Sequence, residues 1–121
     1  MIKINTKATE ISLTPAILDY IEKKLEVLEK FYDEMEDVIV DVEVGKTTQH
    51  HKSGDIFRAE IKLRARGKEY YTSAETEDLY ASIDKVKDDI VRKLTSKRKK
   101  TLDLIRRGGA KIKNLIKFGR R

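Results

Sequence analysis

The residues best placed to do chemistry in this chain are cations at regular spacing. Lys85, Arg92 and Lys99 lie seven residues apart, and Lys93 and Lys100 stand beside the last two. On a helix a seven-residue step returns to nearly the same side, so the three share a stripe. Upstream, Arg58, Glu60, Lys62, Arg64 and Arg66 alternate with Phe57, Ala59, Ile61, Leu63 and Ala65. That period of two belongs to a strand with one buried face and one wet, mainly cationic face. A strand face and a helix side both rich in Lys and Arg suit polyphosphate. The plain alternative is a pair of solvated faces without a partner.

The distribution of charge favours a binding surface. Residues 1–60 carry 8 Lys or Arg against 13 Asp or Glu, a balance of −5, whereas residues 61–121 carry 19 against 8, a balance of +11. Positive charge gathered in one half points to nucleic acid first, with an acidic membrane or acidic protein behind it.

Other chemistry finds little support. The chain has no cysteine, hence no disulfide framework and no thiolate nucleophile. Gly108-Gly109 neither matches a nucleotide-binding pattern nor follows a strand. His50-His51 would make a poor pair of metal ligands, because neighbours in extended backbone point in opposite directions and no other histidine exists. The acidic connector Asp33 to Asp37 lacks the glycine and the ligand spacing of a calcium loop. No serine triad or acid–base pair stands out. The sequence reads as a non-enzyme that needs no cofactor, no metal and no small-molecule substrate. No apolar run approaches the roughly 20 residues needed to span a bilayer. The N-terminus lacks the pattern of a signal peptide, so a cytoplasmic location is expected.

These cations need a scaffold, and periodicity supplies one. Ile2, Ile4 and Thr6 alternate with Lys3, Asn5 and Lys7 as a short first strand. Thr14-Pro15 is a helix start, a capping hydroxyl followed by proline at the first helical position. Ile17, Ile21, Leu25 and Leu28 continue it to about Tyr32. Val38 to Val44 form a second strand, and Gly45 to Asp55 a polar loop. Phe57 to Arg66 form a third strand, and after Gly67 the segment Tyr70 to Ala74 returns as a fourth. Leu79, Ile83, Val86, Ile90 and Leu94 then mark a second helix. The order β-α-β-β-β-α predicts an α+β two-layer sandwich, a four-stranded sheet with both helices on one face. The other face stays uncovered and could pair weakly with a second copy. The domain should occupy 1–107, with Gly108-Gly109 ending the helix or hinging it and 108–121 forming a basic, flexible tail. Such a tail could order on a target, as a partner-binding or membrane-surface helix.

The run Ser53 to Ile61, then Gly67, then Glu77-Asp78-Leu79-Tyr80-Ala81-Ser82-Ile83-Asp84 and the basic stretch Asp88 to Lys100, resembles the ribosome hibernation-promoting factor family, also called the ribosome-associated inhibitor or light-repressed protein family. Ile11 to Ile17 and Leu28 to Phe31 are similar to its first helix, and the likeness covers about residues 1–100. The resemblance implies a fold similar in outline to double-stranded RNA-binding domains. It implies binding of the small ribosomal subunit and its rRNA in the channel used by messenger and transfer RNA, which keeps idle ribosomes inactive and calls for no membrane. By the same resemblance Lys85, Lys87, Arg92, Lys93, Lys97, Arg98, Lys99 and Lys100 face ribosomal RNA, joined by Lys62, Arg64 and Arg66. The family's Asp-x-Tyr motif falls on Asp78 and Tyr80, which read as a helix-dipole partner and an edge of the packed stripe. Long members carry a further domain that pairs ribosomes; this chain resembles either a short form or the N-terminal domain of a long one. A general double-stranded RNA-binding module acting off the ribosome is the competing reading.

Overall fold

The computed structural model describes residues 1–47 and 54–119, with 108–119 as helical backbone alone. His50, His51 and Ser53 of the expected loop lie outside the described residues, as do Arg120 and Arg121. The elements are β1 (Ile2–Thr9), α1 (Pro15–Leu25), β2 (Val38–Thr47), β3 (Ile56–Ala65), β4 (Lys68–Thr76) and α2 (Leu79–Gly119). Two compact units result, 1–91 and 92–121.

The first unit is the expected α+β sandwich. Its sheet runs β1-β2-β3-β4, with β1 parallel to β2 and the rest an antiparallel meander. The parallel pair, Ile2 opposite Val38 through Thr9 opposite Gly45, is joined by α1 as a crossover. Valines alternate along β2, and Val38, Val40, Val42 and Val44 are all buried. They meet Ala59, Ile61, Leu63 and Ala65 of β3 on the same face. Ile17, Ile21 and Leu25 of α1, and Leu79, Ile83, Val86 and Ile90 of α2, complete one apolar layer. Both helices therefore cover one face, and the opposite face is open.

Several boundaries differ from the sequence reading. Helix α1 ends at Leu25 and tightens into a 3-10 turn over Glu26–Phe31. With three residues per turn, Leu25 and Leu28 lie above one another, and both are buried. Strand β2 continues through Gly45 to Thr47, because Gly45 lies flat against β1: a Cβ there would stand 2.6 Å from the Thr9 carbonyl oxygen. Strand β3 ends at Ala65. Arg66 (φ 55°) and Gly67 (φ 73°) form a two-residue hairpin turn with both residues left-handed, which follows the twist of the strands.

In the second unit α2 stays helical through Gly108-Gly109 rather than ending there. Each glycine costs a helix about 1 kcal/mol against alanine, which good helix formers on either side can carry.

Candidate nucleic-acid interface

The root of α2 is tied down by hydroxyl groups. The Asp78 amide donates to the Thr76 hydroxyl at 3.1 Å, and the Ser82 amide donates to the Asp78 carbonyl at 3.0 Å. Ser82, fully buried, donates its own hydroxyl to the Phe57 carbonyl at 2.9 Å and lies 2.7 Å from the Thr76 hydroxyl. A small polar side chain between Leu79 and Val86 lets the helix approach β3 closely. In the sequence Ser82 stands out only as part of the Glu77 to Asp84 segment that resembles the family.

A second tie joins the two helices. Asp84 accepts from the Tyr20 hydroxyl at 2.7 Å and pairs with the Lys24 ammonium at 3.3 Å. The Tyr20 ring meets Tyr80 edge to face, centroids 4.7 Å apart, and Lys24 sits 5.2 Å over the Tyr20 ring. The hydrogen bond to Asp84 raises the pKa of Tyr20, with burial adding to it, and the same carboxylate raises that of Lys24. Tyr20, Lys24 and Asp84 were not among the sequence-derived site residues. Helical spacing alone cannot show which residues of α1 meet which of α2.

The cations of α2 fall in both units. In the first unit Lys85 is exposed, and Lys87 is half-buried with its ammonium 2.6 Å from Asp88. In the second unit Arg92, Lys93, Lys97, Arg98, Lys99 and Lys100 are all exposed, while Leu94 is buried. The Thr101 hydroxyl donates back to the Lys97 carbonyl at 3.1 Å. Lys85, Lys97, Lys99 and Lys100 have no ionic partner among the described residues.

The strand cations are arranged differently. Lys62 and Arg64 do project from the open face, but that face is not mainly cationic. Lys3, Lys7, Arg58, Lys62 and Arg64 share it with Asp41, Glu43, Glu60, Glu69 and Glu75, so its formal charge is zero. Register explains the balance, since acidic positions on β2 and β4 flank the basic ones on β3. Arg64 pairs with Asp41 at 3.3 Å, and Asp41 also accepts from Asn5 at 3.0 Å. Arg58 reaches Glu60 at 3.0 Å and Glu75 at 3.2 Å. Arg66 is not on the strand face: in the hairpin turn it grips the Glu36 carboxylate and lies 5.7 Å over Tyr32. That grip, helped by the Asp33 amide, holds the Glu36 carboxyl below the usual carboxylate range. The Tyr71 hydroxyl, followed by Arg58, does the same for Glu60. Within the first unit, Lys62 and Arg64 lie on the side of the sheet away from the helix that carries Lys85 and Lys87, and so do not join them on one surface. Among the described residues no cluster of metal-ligating side chains occurs, and no helix is long and apolar enough to cross a membrane.

This sequence and this fold have relatives. A family model described as sigma 54 modulation protein / S30EA ribosomal protein matches residues 4–101. A ribosome hibernation promoting factor from Klebsiella oxytoca is 33% identical over 98 residues, 81% of this chain and 95% of that protein. One from Azotobacter vinelandii is 31% identical over 101 residues, 84% and 87% of the two chains. The crystal structure of the N-terminal domain of Thermus thermophilus Protein Y superposes with a TM-score of 0.64 at 28% identity, covering 74% of this chain and 91% of that one. A ribosomal subunit interface protein from Coxiella burnetii shares the fold, with a TM-score of 0.61 at 18% identity over 81% of this chain and 98% of that one.

Proposed function

Because the chain belongs to the sigma 54 modulation protein / S30EA ribosomal protein family, we propose that it is a ribosome hibernation factor that binds the small subunit and keeps idle ribosomes inactive. In this reading it occupies the channel used by messenger and transfer RNA, and the cations of α2 contact ribosomal RNA.

The observation that carries the proposal is the contrast between the two charged regions. The exposed cations of α2 include four lysines without ionic partners among the described residues, whereas the open sheet face carries no net formal charge and both its arginines, Arg58 and Arg64, are paired with carboxylates. Phosphate is attracted to charge that is not already matched, and released counterions drive the association. Ribosomal RNA is recognised by shape as well as charge, and the packed sandwich provides a fixed shape. Lys85, Lys87, Arg92, Lys93, Lys97, Arg98, Lys99 and Lys100 are assigned the main contacts; Lys62, Arg64 and Arg66, held by carboxylates or set apart on the sheet, play a smaller part. The role is one of reversible occlusion, and no bond is made or broken.

Sedimentation of the protein with small subunits and whole ribosomes, at physiological salt and with or without excess transfer and messenger RNA, tests this. Co-migration competed away by the two RNAs is expected. Co-migration that they leave intact would place the protein elsewhere on the ribosome, and failure to co-migrate would overturn the proposal in favour of free RNA.

A further inference from the structure

Past residue 101, where the family match stops, α2 runs on to Gly119, a further length of about 27 Å. Successive residues of a helix turn by about 100°, which fixes where each position falls around the axis. Leu102, Leu104, Ile105, Ile112, Leu115 and Ile116 fall within one arc of about 160°. Arg106, Arg107, Lys111, Lys113 and Lys117 fall in the opposite arc, with Asp103 and Asn114 near its middle. Gly108 and Gly109 lie within the apolar arc, and of the large apolar residues only Phe118 lies outside it. Leu102 is 47% exposed and Leu104 is 52% exposed. Leucines this open, on a helix divided so sharply into an apolar and a basic side, mark an interaction surface.

We propose that residues 102–119 of α2 are a docking helix for an anionic lipid surface, lying in the plane of the bilayer with the apolar arc toward the acyl chains and the basic arc at headgroup level. A helix that rests on a membrane without crossing it needs an apolar side, a polar side rich in Lys and Arg, and low hydrophobicity overall. This stretch meets all three, with five cations against one carboxylate. Both borders of the apolar arc are basic: Lys113 falls about 20° beyond Leu102, and Lys111 about 20° beyond Leu104. A lysine at such a border suits a layer that is apolar below and anionic above. The same borders disfavour a second copy, since two helices packed arc to arc would bring cations together on both sides with no carboxylate to meet them. RNA would match the cations but leave Leu102 and Leu104 in water. Lipid is a partner additional to the ribosome, and its recognition does not depend on the hibernation reading.

Co-flotation of the full chain with vesicles at physiological salt tests this, with amide hydrogen exchange measured on the same samples. Vesicles of phosphatidylcholine and phosphatidylglycerol should capture the chain and slow exchange across 102–119. Each cation near an anionic surface strengthens binding roughly fivefold, so vesicles of phosphatidylcholine alone should bind about a hundredfold more weakly or worse. Ile105→Gln with Leu115→Gln should weaken capture by the anionic vesicles roughly a hundredfold, about tenfold for each side chain. Glutamine is a good helix former, so such a loss would not come from melting the helix. Asn114→Gln, on the basic arc, should leave capture within about twofold. Capture that survives the double substitution would be attraction between charges alone and would overturn the docking helix. Absence of capture would overturn it too, in favour of a second copy if the unmodified chain self-associates through Ile105 and Leu115, or of RNA if small-subunit ribosomal RNA slows exchange there instead. The double variant should bind small subunits as the unmodified chain does; if it did not, the arc would belong to the ribosome contact and the lipid assignment would fall. Vesicle capture by a chain that fails to bind subunits would remove the hibernation reading and leave the lipid helix standing.

Discussion

Replacing two cations on α2, and two at β3 and its hairpin turn, should have opposite consequences, although the sequence presents the pairs alike. Lys97→Gln with Lys99→Gln removes two phosphate contacts under the proposed reading. Each contact contributes about 0.7 to 0.9 to the slope of log affinity against log salt, so the double variant should flatten it by about 1.4 to 1.8. At 0.15 M salt the affinity for small subunits should fall roughly 15- to 35-fold. Arg64→Gln with Arg66→Gln removes the same formal charge, but Asp41 and Glu36 already neutralise those guanidiniums. Its slope should stay within about 0.5 of the unmodified protein and its affinity within about threefold. The cost should appear in the fold instead. The Glu36 side chain is only 19% exposed and loses a two-point partner, while the Arg64 pair is half exposed. Together that amounts to about 1 kcal/mol, since exposed pairs contribute little. Fluorescence titration over a salt series and urea unfolding of the same two proteins provide the comparison. If the sheet variant lost as much binding as the helix variant, or more, the division between matched and unmatched charge would be wrong.

Three further outcomes follow from the packing. Gly45→Ala should destabilise the protein by about 1 to 3 kcal/mol in urea unfolding, because its methyl group would press on the Thr9 carbonyl and lever β1 away; an unchanged midpoint would refute that. Ser82→Ala should cost about 1 to 3 kcal/mol by leaving the Phe57 carbonyl without its buried donor, and a smaller loss would mean that water reaches it. The folded-state pKa values of Glu36 and Glu60 are depressed, so their stabilisation is full above the unfolded carboxylate value of about 4.3 and is lost as pH falls through the folded values. Unfolding midpoints measured from pH 6 down to pH 3 should show that loss, and a Glu36→Gln variant should show less of it.

How much was legible in the sequence follows from which forces are local. The five apolar positions from Leu79 to Leu94 and the alternation from Phe57 to Ala65 set both the elements and their buried faces, because period is a property of the chain itself. The cap at Thr14, whose hydroxyl accepts from the Ile17 amide at 3.2 Å, was equally readable. The neutrality of the open face was not. Read alone, β3 shows Arg58, Lys62 and Arg64 against Glu60; the balance depends on Asp41 and Glu43 from one neighbour and Glu69 and Glu75 from the other. Arg66 was misplaced for a related reason. Alternation carried it onto the strand, whereas the two-residue loop required positive φ at its position. The persistence of α2 through two glycines lay outside pattern reading too, since local propensity argues for a break there.

The clasp at Asp84 can separate charge from shape as the source of binding. Asp84→Asn removes a negative charge next to Lys85 and releases Lys24 from its ion pair. If attraction to phosphate were all that mattered, this variant would bind ribosomal RNA more tightly, by up to a few-fold for charges within a Debye length of about 8 Å. The same change weakens the hydrogen bond from Tyr20 and loosens α1 from the root of α2. Binding through a fixed shape would then suffer, because ordering the helix would have to be done anew on association. The expected result is weaker binding despite the added positive charge. Tyr20→Phe, which leaves the charge untouched, should weaken binding in the same direction. Tighter binding by Asp84→Asn together with unchanged binding by Tyr20→Phe would mean that the sandwich serves only to carry a cationic helix, and that its rigidity plays no part in recognition.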